Sequence, residues 1–256
     1  MDSVWRQDRS CGCCGILLIC NAMKILIDNG HGDNTPGKRS PDGKLLEWKF
    51  TRRVAKVVAA RLERVGYDVE LLTPENYDVK LIERVHRANV KAQSLGRKNV
   101  IVVSIHCNAA GSKGEWLKAT GWEAWTSPGR TDSDAIAECL YKAAEKNLEG
   151  QTIREYKKKE GERDKEARFT ILQDTICPAV LTENFFMDNR KDVQFLLSDE
   201  GFEAVVRTHM EGIINYINTN EDNNSETRGQ VHLLHLLGGG HHPAGVRCDH
   251  TAAGYH

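Results

Sequence analysis

Four side chains in the sequence are of the types that metal-assisted hydrolysis needs: the histidines His31 and His106 and the glutamates Glu47 and Glu183. Two neutral imidazoles and one carboxylate can hold a zinc ion and leave a fourth position for water. A second carboxylate can take up the proton of an attacking water and pass it to a departing amine. These residue types therefore match a zinc hydrolase, provided that the fold brings them together.

Three of the four side chains follow apolar runs that predict strands. His31 comes shortly after the first run, residues 24–28, and His106 directly follows the β-branched run 99–105. Glu183 directly follows a third, shorter run. Ligands of an open parallel sheet bind beyond the carboxyl ends of its strands. If these strands are parallel, the three side chains lie on one edge of the sheet.

Each strand-end histidine also has a plainer interpretation, because such residues are more often hydrogen-bonded structural groups than metal ligands. His31 differs from that average in having a glycine on each side, Gly30 and Gly32. Glycine permits unusual backbone angles and a close approach of the chain to a bound species. A simple turn remains the alternative at this position.

Glu47 is selected because of its position on one face of a predicted helix. It precedes Phe50, Val54 and Val58 by three, seven and eleven residues, so it lies on the face that those residues direct to the core. A carboxylate on a buried face must be paired or bound to a metal. Alternatively, it favours the amino-terminal dipole of the helix and is exposed to solvent. The pattern leaves both interpretations open.

The elements that must position these residues alternate between strand and helix from Met23 onward. This pattern predicts an α/β fold, a single three-layer domain with a mostly parallel sheet flanked by helices. The predicted helices are 45–65, 79–95, 132–148 and 199–217, and the strands are 24–28, 68–72, 99–105 and 122–126, with short apolar runs at 169–172 and 178–182. Residues 154–168 are dense in charge of both signs, which favours a solvated helix or loop, the alternative being a lid over the substrate.

The two ends of the chain differ from this core. Residues 1–22 carry basic residues followed by an apolar run, so they are either a signal-like leader or the result of a start site upstream of the true one at Met23. Residues 23–219 form the predicted catalytic domain. Residues 220–256 are expected to be a disordered linker and a His/Gly-rich tail. His232 and His235 could bind a metal, but a glycine-rich tail gives no fixed geometry, so we exclude them from the site.

Composition limits the partners. The 35 basic and 36 acidic residues give a formal charge of −1, so no global basic field exists to hold nucleic acid or an anionic membrane. No apolar run approaches the roughly 20 residues that a membrane-spanning helix needs, which predicts a soluble protein without a transmembrane segment. The eight cysteines show no disulfide framework. The oligomeric state is not encoded in any pattern, and we expect a monomer.

Five segments together resemble the zinc-dependent N-acetylmuramoyl-L-alanine amidases, the family often called amidase type 3. They occur in family order between Lys24 and Ile217, and their combination is specific where no single segment is. Asn29 and Asp33 depart from the family pattern without removing a group that the chemistry needs. The segments are ILIDNGHG (25–32), LLEWKFTRRVA (45–55), LIERVHRAN (81–89), VVSIHCNA (102–109) and PAVLTENFFMDN (178–189).

The resemblance implies that His31, Glu47 and His106 bind one catalytic Zn²⁺ and that Glu183 is the catalytic glutamate. The implied reaction is hydrolysis of the amide between the lactyl group of N-acetylmuramic acid and the L-alanine of the stem peptide. Peptidoglycan would be the substrate, so the protein would act on the bacterial cell wall, in the periplasm or outside the cell. Export remains doubtful if the true start is Met23.

Two alternatives stay open from the sequence. A zinc peptidase acting within the stem peptide would use the same metal chemistry on another amide. A non-catalytic wall-binding relative would have kept the fold alone, but retention of Glu47 and Glu183 argues against it, because an unused buried carboxylate is unfavourable. The biological setting also stays open, whether remodelling by an autolysin, cell separation or phage-type lysis.

Overall fold

The computed structural model of the chain describes residues 23–156 and 163–237, with side chains up to residue 220. The leader 1–22 and the end of the tail, 238–256, lie outside the described residues, so their interpretations stay predictions. The chain divides into two units, Met1–Tyr216 and Ile217–His256. In the second unit, the described part is helical backbone up to Leu237.

Within the described residues, six strands form one mixed sheet. Its strands are β1 (Lys24–Asn29), β2 (Asp68–Leu71), β3 (Val100–Asn108), β4 (Trp122–Thr126), β5 (Lys165–Glu166) and β6 (Ala179–Phe186). The strand order is β2-β1-β3-β6-β4-β5. The first four strands in that order are mutually parallel, whereas β4 runs antiparallel to β6 and β5 pairs with β4 in parallel. The predicted mostly parallel sheet is confirmed.

Helices cover both faces of this sheet. They are α1 (Glu47–Arg64), α2 (Leu81–Leu95), α3 (Asp132–Asn147), α4 (Thr170–Gln173), α5 (Arg190–Leu197) and α6 (Asp199–Leu237). On one face, α2 and α4 pack in an apolar cluster with side chains of the parallel strands, such as Leu26 and Val102. Helices α1 and α3 pack against the sheet separately from that cluster, and the rings of Phe50 and Phe202 join α1 to the start of α6. The predicted three-layer domain is confirmed.

The central strand β3 has the sequence pattern of a strand in a parallel sheet. Its residues from Val100 to Ile105 are fully buried, because helices cover both faces. Strands buried on both faces are near-continuous apolar runs without in-out alternation. The run therefore places the residues that follow it at the carboxyl edge of the sheet.

Two helices differ from the expectation. Helix α5 was not predicted because it has only eight residues, and its start is fixed by the Asn189 side chain, which accepts hydrogen bonds from the backbone nitrogens of Lys191 and Asp192. Helix α6 runs to Leu237, where a disordered linker was expected from residue 220 onward. The added stretch contains no proline, so polar residues of modest helix propensity do not interrupt the backbone hydrogen bonds.

The charged segment 154–168 is not helical in its described part. It contributes the edge strand β5, and Arg163 forms ion pairs with Glu138 and Glu145 of α3. The remaining residues, 157–162, lie outside the described residues, so the lid hypothesis stays untested. Among the described residues, no helix is both long and apolar enough to cross a membrane.

Candidate metal centre and active site

The carboxyl edge of the parallel strands gathers the predicted site residues. His31 lies two residues beyond the end of β1, and His106 and Glu183 are direct register partners on β3 and β6. Glu47 is the first residue of α1. The structure therefore brings together all four side chains selected from the sequence.

Three of these side chains form a tight cluster, in which one ligand atom from each of His31, Glu47 and His106 lies within 4.8 Å of the others. Glu47 Oε1 lies 3.2 Å from Nδ1 of His106 and accepts a hydrogen bond of 3.0 Å from the backbone nitrogen of Cys107. Glu47 Oε2 lies 3.4 Å from Nε2 of His31. Glu47 is 1% exposed, so the solvent-exposed alternative for this residue is wrong.

The donor set fits a zinc ion. Tetrahedral zinc with nitrogen and oxygen ligands at about 2.0–2.1 Å separates its ligand atoms by about 3.4 Å. Nδ1 of His106 lies 3.2 Å from Glu47 Oε1 and Nε2 of His31 lies 3.4 Å from Glu47 Oε2, so each ring nitrogen lies near that distance from one of the two carboxylate oxygens. Glu47 Oε2 is buried and has no hydrogen-bond partner, which is unfavourable for a carboxylate unless a cation satisfies it. The cluster therefore has the composition, spacing and unsatisfied charge of a divalent metal site.

The protonation of the cluster also suits a metal. Burial lowers the pKa of His31 to about 4, so its ring is neutral at pH 7 and offers a lone pair. Burial alone would raise the pKa of Glu47, but the hydrogen bond to His106 and the charges of both histidines outweigh it and lower that pKa. Burial likewise opposes protonation of His106, while Glu47 raises its pKa overall. Glu47 and His106 therefore each favour the charged form of the other, and a cation bound here would compete with a proton for them.

The two glycines beside His31 make room for the site. A Cβ on Gly30 would lie 2.6 Å from Nδ1 of His106, and a Cβ on Gly32 would collide with the backbone of Asp78. The unusual backbone angle belongs to His31 itself, which has a φ of 62°. The chain does approach another group closely at these glycines, as predicted. That group is the ring of His106 at Gly30 and the backbone of Asp78 at Gly32, and not a bound species.

Arg52, which the sequence did not single out, holds this strained loop. Its buried guanidinium donates hydrogen bonds to the carbonyl oxygens of His31, Trp48 and Glu75. Thr51 Oγ1 donates to the carbonyl oxygen of Gly30 at 3.1 Å. The first turns of α1 thus carry Glu47 and also fix the loop that carries His31. The sequence signal for this role is that Arg52, a charged residue, lies on the apolar face of the predicted helix.

The steric role of Gly32 predicts a stability change. Gly32→Ala places a methyl group against the backbone of Asp78, which cannot rotate away, so we expect the free energy of unfolding to fall by about 1–3 kcal/mol. Chemical denaturation of the full chain measures it. Lys113→Ala is the comparison, because Lys113 is exposed and its replacement by alanine adds no contact. Equal stability of Gly32→Ala and wild type would contradict the steric argument.

Glu183 lies between two other polar side chains on the same face of the sheet, with His106 as its register partner on β3 and Glu123 on β4. Burial raises the pKa of Glu183 to about 8, and the negative charges of Glu47 and Glu123 add to that rise. Its Oε2 atom is buried without a hydrogen-bond partner. A carboxyl group that titrates near neutrality with a free oxygen is suited to proton transfer.

Glu123, by contrast, is fully bonded. Its carboxylate pairs with Arg154 at 2.6 Å and Lys165 at 2.5 Å, and it accepts hydrogen bonds from the side chains of Asn108 and Trp125. It is 1% exposed, and its position inside the apolar run 122–126 gave no sign of this role. Both oxygens of Glu123 are thus occupied, whereas Glu183 keeps an oxygen without a hydrogen-bond partner.

A β-bulge adjoins the site on β6. The register passes from the pair His106 and Glu183 to the pair Asn108 and Phe186, which inserts an extra residue into β6. Phe185 accordingly has a φ of 65°, and the Asn184 side chain donates to the carbonyl oxygen of His106 at 2.9 Å. Bulges redirect side chains next to active sites. This one ties the end of β6 to the backbone of His106.

Comparisons with known proteins agree with this geometry. The family model described as N-acetylmuramoyl-L-alanine amidase matches residues 25–215. The N-acetylmuramoyl-L-alanine amidase CwlM of Bacillus licheniformis is 30% identical over 207 residues, covering 78% of this chain and 71% of that protein. The endolysin of Bacillus phage SPP1 is 29% identical over 200 residues, covering 76% of this chain and 66% of that protein.

Solved structures show the same fold. An N-acetylmuramoyl-L-alanine amidase from Clostridium difficile 630 superposes with a TM-score of 0.65 at 23% identity, covering 77% of this chain and 98% of that one. The amidase AmiC2 of Nostoc punctiforme gives a TM-score of 0.63 at 26% identity, with the same coverage of 77% and 98%. The chain therefore belongs to the amidase type 3 family of N-acetylmuramoyl-L-alanine amidases and is an enzyme of that type.

Proposed function

We propose that the protein hydrolyses the amide bond between the lactyl group of N-acetylmuramic acid and the L-alanine of the stem peptide in bacterial peptidoglycan. We further propose that His31, Glu47 and His106 hold one Zn²⁺ and that Glu183 moves the proton. The supporting observation is the buried cluster whose Glu47 Oε2 has no hydrogen-bond partner, with Glu183 on the adjoining strand. Family membership supports the choice of this amide.

Zinc bound at this cluster would polarise the carbonyl of the scissile amide and lower the pKa of the attacking water. The chain prepares the cluster for it. Glu47 supplies one negative charge, and its orientation is fixed by the backbone N–H of Cys107. His31 is held by the loop that Arg52 and the adjacent glycines shape. These contacts support the proposal, because side chains held in place in this way would favour metal affinity and a single geometry.

Glu183 supplies the proton transfer. The water oxygen bonds to the lactyl carbonyl carbon, and Glu183 accepts the proton that this oxygen gives up. The carbon–nitrogen bond then breaks, and Glu183 returns the proton to the nitrogen of L-alanine. A divalent cation held by His31, Glu47 and His106 would lower the pKa of a neighbouring carboxyl group, so that Glu183 would be ionised at neutral pH before the reaction begins.

Product analysis tests the proposal directly. The full chain, loaded with zinc, is incubated with purified peptidoglycan, and the fragments are identified by mass spectrometry. We expect intact stem peptides with free L-alanine amino termini and glycan strands with free lactyl carboxyl groups. Shortened stems still attached to muramic acid would instead support a peptidase acting within the stem, and unchanged peptidoglycan would support a non-catalytic wall-binding role.

A further inference from the structure

Three fully buried polar side chains lie behind Glu183, between the sheet and α6. They are His209 of α6 and Thr182 and Asn184 of β6. Thr182 and Asn184 flank Glu183 in the chain, and side chains alternate along a strand, so both project from the face of the sheet opposite to Glu183. The proposed proton transfer uses none of the three.

His209 is bonded through both ring nitrogens. Its Nδ1 lies 2.7 Å from the carbonyl oxygen of Val205, one turn earlier in α6, and its Nε2 lies 2.9 Å from Oγ1 of Thr182. A carbonyl oxygen can only accept, so Nδ1 carries the proton. Burial lowers the pKa of His209 to about 4, so the ring is neutral at pH 7. Nε2 therefore accepts a hydrogen bond from the Thr182 hydroxyl.

This bond fixes the direction of the Thr182 hydroxyl. Its hydrogen points to His209, which leaves the lone pairs of the oxygen for the side-chain nitrogen of Asn184 at 3.2 Å. The competing acceptor for the hydroxyl hydrogen is the carbonyl oxygen of Ser104, which lies farther away at 3.4 Å. The imidazole of His209 thus determines which way the hydroxyl points.

The amide of Asn184 connects this network to the strand that carries His106. Its nitrogen donates to the carbonyl oxygen of His106 at 2.9 Å, and its oxygen accepts a hydrogen bond from Nε1 of Trp122 at 3.1 Å. One contact needs a donor and the other an acceptor, so the amide has a single orientation. The network therefore runs from α6 through β6 to the backbone of β3.

The network ends at the β-bulge of β6. Phe185 has a φ of 65° there, an angle that a bulky residue keeps only when its surroundings hold it. On the far side, the backbone nitrogen of Phe186 donates to Oδ2 of Asp192 at 2.9 Å. The bulge is thus held from both sides, and it begins directly after the register pair of His106 and Glu183.

A buried polar network in which every member is bonded selects one arrangement of the core. We propose, building on the proposed function, that His209 is a positioning residue for Glu183. Acting through Thr182 and Asn184, it fixes the end of β6 against β3. A displacement of about 1 Å in a reacting group can slow catalysis about 100-fold, so this contact acts on the rate of the chemical step. Binding of zinc and of substrate does not depend on it.

Two single substitutions break the network at different points. His209→Leu removes the acceptor of the Thr182 hydroxyl, and Thr182→Val removes the hydroxyl itself while keeping the shape of the side chain. For release of the peptide from a soluble muropeptide by the zinc-loaded chain, we expect each to lower kcat about tenfold. KM and the zinc dissociation constant should stay within about twofold of wild type.

Thr182→Ser tests whether the hydroxyl or the packing is responsible. It keeps the hydroxyl but loses a buried methyl group, so it should lower the melting temperature of the zinc-free chain and leave kcat at the wild-type value. A fall of kcat in Thr182→Ser equal to that in Thr182→Val would show that packing alone sets the rate, and would overturn the proposal.

The double variant of His209→Leu with Thr182→Val separates stability from positioning. Replacing both partners of a buried hydrogen bond by apolar groups costs less than leaving one partner unpaired. We therefore expect the melting temperature of the zinc-free double variant to exceed that of Thr182→Val. Its kcat should stay about tenfold below wild type, because Asn184 still lacks its acceptor. Recovery of kcat together with the melting temperature would overturn the proposal.

Thr208→Val is the matched control for these variants. Thr208 is buried in α6 beside His209 in the sequence, and its hydroxyl donates to the carbonyl oxygen of Ala204 at 2.9 Å, within the helix. Its replacement removes a buried hydroxyl without breaking the network, so kcat should not change. A fall of kcat equal to that of Thr182→Val would contradict the positioning role.

Hydrogen exchange on the zinc-free chain gives a measurement that needs no activity. Thr182→Val should speed exchange of the backbone N–H groups of Phe186 and Met187 at the bulge, and Thr208→Val should not. The failures of the two proposals differ. A wild-type chain that leaves the lactyl amide intact would contradict the proposed function, while exchange still decides whether the network holds the bulge. Cleavage of that amide at the wild-type rate by His209→Leu would contradict the positioning role alone.

Discussion

The Glu183→Gln variant is expected to release stem peptides from peptidoglycan about 10²–10⁴-fold more slowly than wild type while binding zinc equally well. Glutamine has nearly the same shape as glutamate but cannot take up and return a proton. Glu183 lies outside the group of three ligand atoms, so its replacement leaves the cluster intact. Its free Oε2 has no structural hydrogen bond to lose, which limits any effect on stability.

The measurement pairs the initial rate of appearance of L-alanine amino termini with the zinc content after dialysis. Glu63→Gln is the matched control, because Glu63 is an exposed glutamate of α1 whose replacement should change neither quantity. Full activity of Glu183→Gln would remove Glu183 from the proposed proton transfer. Loss of zinc together with activity would show instead that Glu183 helps to hold the metal.

Much of this site could be predicted from local patterns. The buried run 99–105 predicted a central strand, and the rule that ligands bind beyond parallel strand ends selected His106 and Glu183 without knowledge of their contact. Helical phase directed Glu47 inward, and the structure shows it buried. These inferences succeeded because strand burial and helix phase are properties of short segments.

The rest depends on contacts between distant segments. The run 122–126 has the same composition whether its strand runs parallel or antiparallel, so the position of Glu123 beside Glu183 could not be predicted. Likewise, the sequence indicates that Gly30 and Gly32 serve a close approach but not which atoms they approach. The partners, His106 and Asp78, come from other parts of the chain and are fixed by tertiary packing.

The second large effect is expected for His106→Ala, which removes one of the three proposed zinc ligands. We expect zinc affinity to fall more than about 100-fold, since loss of a residue that only orients a ligand already costs 10–100-fold. Activity should fall to background. The substitution also takes from Glu47 the partner that lowers its pKa, so the remaining carboxylate is left buried beside a single histidine.

Thermal unfolding with and without added zinc measures this loss independently of activity. A metal that binds only the folded chain raises its melting temperature. Wild type and the matched control His86→Ala, which removes an exposed histidine of α2, should both be stabilised by zinc. His106→Ala should not. Stabilisation of His106→Ala to the wild-type extent would contradict the assigned ligand set. Because Glu183→Gln is expected to keep the zinc response that His106→Ala loses, the two variants together separate holding the metal from moving the proton.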